Sequence, residues 1–151
     1  MNFLGRKLDL LQGAYGGTAF YPPGYPVLLW LAEKVVGDPH RATQLISGGA
    51  AAILLAGTYW LGLGWTGKRT IALLAAALVT TSSVFLTLAY VTSTDLLAGA
   101  GVTVALACGV WALRHPARRR WIILAALAVG LAFLVRRQAA VMIVPLVALA
   151  A

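Results

Sequence analysis

Long apolar stretches without a charge, separated by short polar gaps, organise the chain from residue 44 onward. Residues 44–64 (QLISGGAAAILLAGTYWLGLG) and 71–91 (IALLAAALVTTSSVFLTLAYV) carry no charged side chain. Each reaches the length of about 20 residues that a helix needs to cross about 30 Å of hydrocarbon. A shorter stretch, 96–113 (LLAGAGVTVALACGVWAL), follows, then 121–135 (WIILAALAVGLAFLV), and a last one begins at 138 and runs to 151. The pattern predicts five membrane spans at these positions. The gaps between them are WTGKRT, TSTD, RHPARRR and the pair Arg136–Arg137.

Ahead of the first span the pattern changes. Segment 24–36 (GYPVLLWLAEKVV) stays apolar for only about eight residues before Glu33 and Lys34. It is too short to cross, so it reads as a helix lying along the membrane surface, the alternative being a short tilted span. The stretch FYPPGYP, residues 20–26, leads into it. Pro22, Pro23 and Pro26 resist a helix interior and Gly24 permits a turn, so a rigid bend is expected. Phe20, Tyr21 and Tyr25 carry rings of the kind that collect at the water–lipid boundary. The expected organisation is an external segment over 1–43, with the proline turn and surface helix, and a transmembrane bundle over 44–151. The fold class is an all-α, polytopic integral membrane bundle.

Composition agrees. Of 151 residues, 61% are hydrophobic and 11% charged, with a mean hydropathy of +0.87. These values exclude an ordinary soluble domain. The net charge of +8 would point to nucleic acid in a soluble protein. Here the cations fill gaps between spans, as membrane topology asks, and nucleic acid is not an expected partner. Cys108 is the single cysteine and lies within an apolar stretch, so an intramolecular disulfide and a Cys-rich zinc site are both excluded. With the surface reading of 24–36, Lys68, Arg69, Arg114, Arg118, Arg119 and Arg120 share the cytoplasmic side. Residues 1–43, the TSTD loop and Arg136–Arg137 then face outside.

Few residues are candidates for chemistry. Asp95 sits among apolar helices, where an acid is a functional candidate by default. Its alternative role is an N-cap for a helix starting at Leu96. Arg136 and Arg137 lie on the side that the positive-inside rule depletes, and a guanidinium fork there suits a phosphate; snorkelling at a helix end is the alternative. The 114–120 arginines read as a topology anchor facing anionic lipid. His40 and His115 fall on opposite sides and form no metal constellation. Gly48, Gly49, Gly99 and Gly101 read as close-packing positions between helices.

Three markers in order carry a family resemblance: YPPGYPVLLWLAEKVVGDPHRATQLISG, LTLAYVTSTDLLAGAG and LAVGLAFLVRRQAAVMIVPLVAL. Together they resemble the GT-C class of membrane glycosyltransferases, especially bacterial relatives of the protein O-mannosyltransferases and the lipid A aminoarabinose transferases. The resemblance implies transfer of a sugar from a polyprenyl-phosphate donor to an external acceptor at a bacterial-type plasma membrane. Asp95 then looks like the second external-loop acid. Arg136 or Arg137 looks like a donor-phosphate contact, with Tyr21 and Tyr25 beside the donor and Pro22, Pro23, Gly24 and Pro26 as the structural turn. The class also admits a divalent metal, with Asp95 as a candidate ligand, although one acid is few for a hard cation. The principal acid of the class belongs further ahead of the turn than Asp9, which lies only 13 positions before Pro22. The chain is therefore expected to be an internal fragment, inactive alone. The competing reading is a non-enzymatic small polytopic protein, a transporter fragment or assembly subunit, in which Asp95 is only a cap.

Overall fold

The computed structural model describes residues 22–90, 94–115, 119–137 and 139, the side chain of Tyr90 excepted. Tyr21, the span expected over 138–151 and Arg118 lie outside the described residues, Ala139 aside. Six helices are present among those described: α1 Gly24–Val36, α2 Pro39–Thr66, α3 Arg69–Thr81, α4 Ser83–Tyr90, α5 Thr94–Arg114 and α6 Arg120–Val135. No strand accompanies them there.

Local chemistry sets their ends. Pro39 occupies the first position of α2, where a missing N–H costs nothing, and the Asp38 carboxylate accepts from His40 N at 2.9 Å. Gly37 and Gly67 close α1 and α2 with φ of 76° and 71°, the left-handed conformation that favours glycine. Pro26 stands in the first turn of α1, against the expectation of a bend through residue 26. The first helical bond runs from Val27 N to Pro23 O at 3.1 Å, so the nitrogen of Pro26 is one that no intrahelical bond requires. Among the described residues only Pro22 and Pro23 precede the helix, and Gly24 already belongs to it.

Two helices, α2 and α5, are long and apolar enough to cross a membrane, and the pair α3–α4 makes a third if it is one bent span. Within the span expected over 71–91 the helix breaks at Ser82, with a bend of 67°. The cause is the run Thr80-Thr81-Ser82-Ser83. Thr80 and Thr81 hydroxyls donate to the carbonyls of Ala77 and Leu78 at 2.6 and 2.9 Å, and Ser82 turns extended with ψ of 125°. Such hydroxyls compete with the helical ladder. Helix α6, at 16 residues, is only about 24 Å long.

The core is built from small side chains. Ala50, Leu96 and Ala100 form its centre, with Leu54, Phe85 and Leu88 packed against it. Large apolar residues point outward instead: Leu74, Leu78, Leu127 and Leu131 are each exposed by more than half. A soluble protein would not leave that much apolar surface in water, whereas lipid solvates it and lets helices meet through alanine and glycine. Cys108 joins this core. The most extensive packing is between α2 and α5 and between α5 and α6.

The glycines doing that packing are only partly those expected. A Cβ on Gly48 or Gly49 would meet nothing within 4 Å, whereas one on Gly101 would lie 2.9 Å from Ala132 Cβ and 3.3 Å from Ala128 O. Gly101→Val is expected to force α5 and α6 apart and cost about 1–3 kcal/mol. Thermal unfolding in detergent measures this, with Gly48→Val as the neutral comparison.

Candidate functional site at the Asp95 end of the bundle

The antiparallel order of the helices sorts their ends into two groups. The first turn of α2, the start of α5 and the C-terminus of α6 lie at one end. The turn at Gly67 and the start of α6 lie at the other.

At the first end, Asp95 and Arg136 form an ion pair between Oδ1 and Nη1. The two residues are 41 positions apart in sequence, and each side chain is about two-fifths exposed (42% and 39%). Helix α5 begins at Thr94, so Asp95 stands within its first turn instead of capping it from outside. A negative charge is favoured there by the positive end of the helix dipole. Arg136 occupies the C-cap of α6, where its N–H bonds Ala132 O at 2.8 Å and its cation meets the negative end of that dipole. Each charge thus suits its own helix as well as its partner. Packing fixes both: Leu96 is 2% exposed and Val135 is 5% exposed. Arg137 follows, exposed, at the same end.

The start of α1 is held against this end of α6. A Cβ on Gly24 would lie 2.5 Å from Leu134 O and 2.7 Å from its carbonyl carbon. Only a residue without a side chain lets the helix sit there, two positions before Arg136. The sequence marked Gly24 as a turn residue; its structural use is this contact, which nothing local in the sequence announces. Helix α1 also packs along α2.

Tyr25 follows Gly24, and its hydroxyl is buried without a hydrogen-bond partner among the described residues. Burial pushes its pKa above the ordinary tyrosine value, while the Thr43 side chain offsets part of that rise. Thr43 already gives its own hydroxyl proton to Pro39 O at 2.9 Å. Tyr25 therefore remains a neutral donor at neutral pH. Tyr25→Phe removes a buried hydroxyl whose neighbouring polar group is the Thr43 side chain, and is expected to change stability by no more than about 1 kcal/mol. Unfolding midpoints in detergent check the size.

A divalent cation does not fit these residues. Among the described residues no three His, Cys, Asp or Glu side chains gather, and the carboxylate of Asp95 faces a guanidinium. Hard cations need several oxygen ligands. His40 also serves locally, with its ring Nε2 beside Gln44 Nε2 at 3.2 Å.

A family model described as dolichyl-phosphate-mannose-protein mannosyltransferase matches residues 21–151, a range that runs from Tyr21 through Asp95 to both arginines. The chain belongs to this family. It is an integral membrane protein of a membrane glycosyltransferase family, one whose name implies a lipid-linked sugar donor. No curated protein and no solved structure matches it.

At the opposite end of the bundle, the arginines read from the sequence as an anchor stand beside an aromatic cluster that the sequence reading did not single out. Trp60, Trp111 and Trp121 from three helices meet there, beside Arg114 and Arg120. Tryptophans close to cationic gaps in the sequence were the available signal.

Proposed function

We propose that the Asp95 end of the bundle is the external donor site of a GT-C transferase acting on a polyprenyl-phosphate-linked sugar. The observation that carries this reading is the Asp95–Arg136 pair, a fork-shaped cation at the end of the bundle where α1 is docked. Arg136, with Arg137 beside it, is the donor-phosphate contact. The phosphate competes with the Asp95 carboxylate for the guanidinium, because Arg binds either group in two-point fashion. Binding of the donor thereby frees Asp95. In transfer, the bond from the anomeric carbon to the phosphate oxygen breaks and a bond to the acceptor oxygen forms. The acceptor proton passes to a carboxylate, for which Asp95 is the candidate, and polyprenyl phosphate leaves with the electron pair. The arginines offset the charge that develops on the leaving phosphate. Helix α1 lies along the outer membrane surface, with residues 1–43 outside, Tyr25 beside the donor and Tyr21 assigned the same role.

The ion pair itself favours one other reading. Two charges that neutralise each other and each suit their own helix dipole could serve only to pin α5 to α6, in a bundle without enzymatic activity. Binding in lipid nanodiscs separates the two. The donor-site reading predicts that a polyprenyl-phosphate-sugar binds, that polyprenyl phosphate displaces it and that the neutral polyprenol does not. Equal displacement by the neutral lipid, or no binding, would favour the pinning role.

A further inference from the structure

The end of the bundle away from Asp95 is cationic and aromatic together, and the sequence marks its arginines only as a general anchor toward anionic lipid, with no binding site defined. The four acids of the chain are Asp9, Glu33, Asp38 and Asp95, so no acid occurs in 39–94 or 96–151. Lys68, Arg69, Arg114, Arg119 and Arg120 are all exposed at this end.

Two of these arginines are held with donors to spare. Arg114 gives one Nη2 hydrogen bond to Trp65 O at 3.1 Å, at the carbonyl-rich C-terminus of α2. A guanidinium has five N–H donors in all. Arg120 is exposed and lies over Trp121, its guanidinium carbon 5.2 Å from the ring centre, a cation–π contact that consumes no hydrogen-bond acceptor. The rings beneath form one platform across three helices. Trp121 stacks on Trp111 at 6.0 Å and meets Trp60 edge-on at 6.2 Å, while Trp111 Nε1 points at Trp60 O at 3.4 Å. Directly along α6 from this platform, Ile122 and Ile123 are exposed by 58% and 59%, and Trp65 on α2 by 69%.

We infer that this surface binds the phosphodiester headgroup of an anionic phospholipid, through Arg114 and Arg120 over the Trp60–Trp111–Trp121 platform. Charge complementarity selects an anion, because among the described residues no acid lies at this end. The flanking apolar side chains select a lipid over a free phosphate, since they offer acyl chains a surface immediately beside the cations. Exposed guanidinium forks suit a phosphodiester, whose oxygens they grip in pairs.

Bromolipid quenching of tryptophan fluorescence tests this on the full chain in phosphatidylcholine nanodiscs. A Trp30→Phe background removes the tryptophan of α1. Dibrominated phosphatidylglycerol is then compared with dibrominated phosphatidylcholine at equal low mole fraction. Attraction of cations to anionic lipid predicts enrichment of phosphatidylglycerol at the rings by about fivefold or more over its mole fraction. Arg114→Gln/Arg120→Gln is expected to reduce the enrichment to that of phosphatidylcholine with helix content unchanged. Excess glycerol 3-phosphate should not displace the lipid. Equal quenching by the two lipids, displacement by glycerol 3-phosphate, or full enrichment in the folded double variant would overturn the inference. The comparison of lipids needs no arginine variant, so a misfolded double variant leaves it decisive.

Discussion

Asp95→Asn is expected to bind the polyprenyl-phosphate-sugar more tightly and to turn it over more slowly. In the resting protein the guanidinium of Arg136 is engaged by the Asp95 carboxylate, so an incoming phosphate must displace one anion and sit near another. Removing the charge of Asp95 removes both penalties. The pair is partly exposed, so its coupling is that of a screened ion pair, and affinity should rise by only about two- to fivefold. In a full-length relative carrying the same change, turnover should fall by about a hundredfold or more, the lower range for loss of a proton-transferring group. A lower KM together with a lower kcat is a signature that a pinning role does not produce. If the pair only staples α5 to α6, the same change lowers the unfolding midpoint and leaves donor affinity unmoved.

Gly24→Ala is expected to destabilise the protein although alanine is the better helix former. In an ordinary helix interior the change would gain up to about 1 kcal/mol. Here the added methyl group would lie 2.5 Å from the carbonyl oxygen of Leu134. Backbone atoms inside α6 cannot swing aside as a flexible side chain can, so α1 must lift away. The expected net cost is about 1–3 kcal/mol, as for other overpacked contacts. Because Leu134 precedes Arg136 by two residues, donor affinity should fall in parallel. Unfolding in detergent and donor titration measure the two effects. A Gly24→Ala protein as stable as the unsubstituted chain would mean that α1 does not rest on α6 in the membrane.

Much of the bundle was legible because hydrocarbon imposes a simple demand on length and charge. The stretches 44–64, 96–113 and 121–135 fall within α2, α5 and α6, with ends a few residues away. Charge counting also grouped Asp95 with Arg136 and Arg137 at one side, and the helices bring Asp95 and Arg136 into contact. The break at Ser82 was missed because hydropathy ignores the competition of Thr80 and Thr81 hydroxyls for backbone carbonyls. The contact of Gly24 was missed for another reason: a close approach depends on a neighbour more than a hundred positions away, and a glycine beside prolines looks like a turn. Gly48 and Gly49 show the reverse error, since small residues permit packing without specifying where it occurs. Pro26 follows the same logic, being tolerated in a first turn that the sequence alone did not locate.

The most direct test of the donor site is the affinity of Arg136→Gln for a polyprenyl-phosphate-sugar, measured in nanodiscs against the unsubstituted chain. Loss of charge-assisted hydrogen bonds to the phosphate should weaken binding by about 10- to 100-fold, while the neutral polyprenol is unaffected. Unchanged affinity in a folded Arg136→Gln protein would contradict the account, leaving the Asp95–Arg136 pair as a clasp between helices.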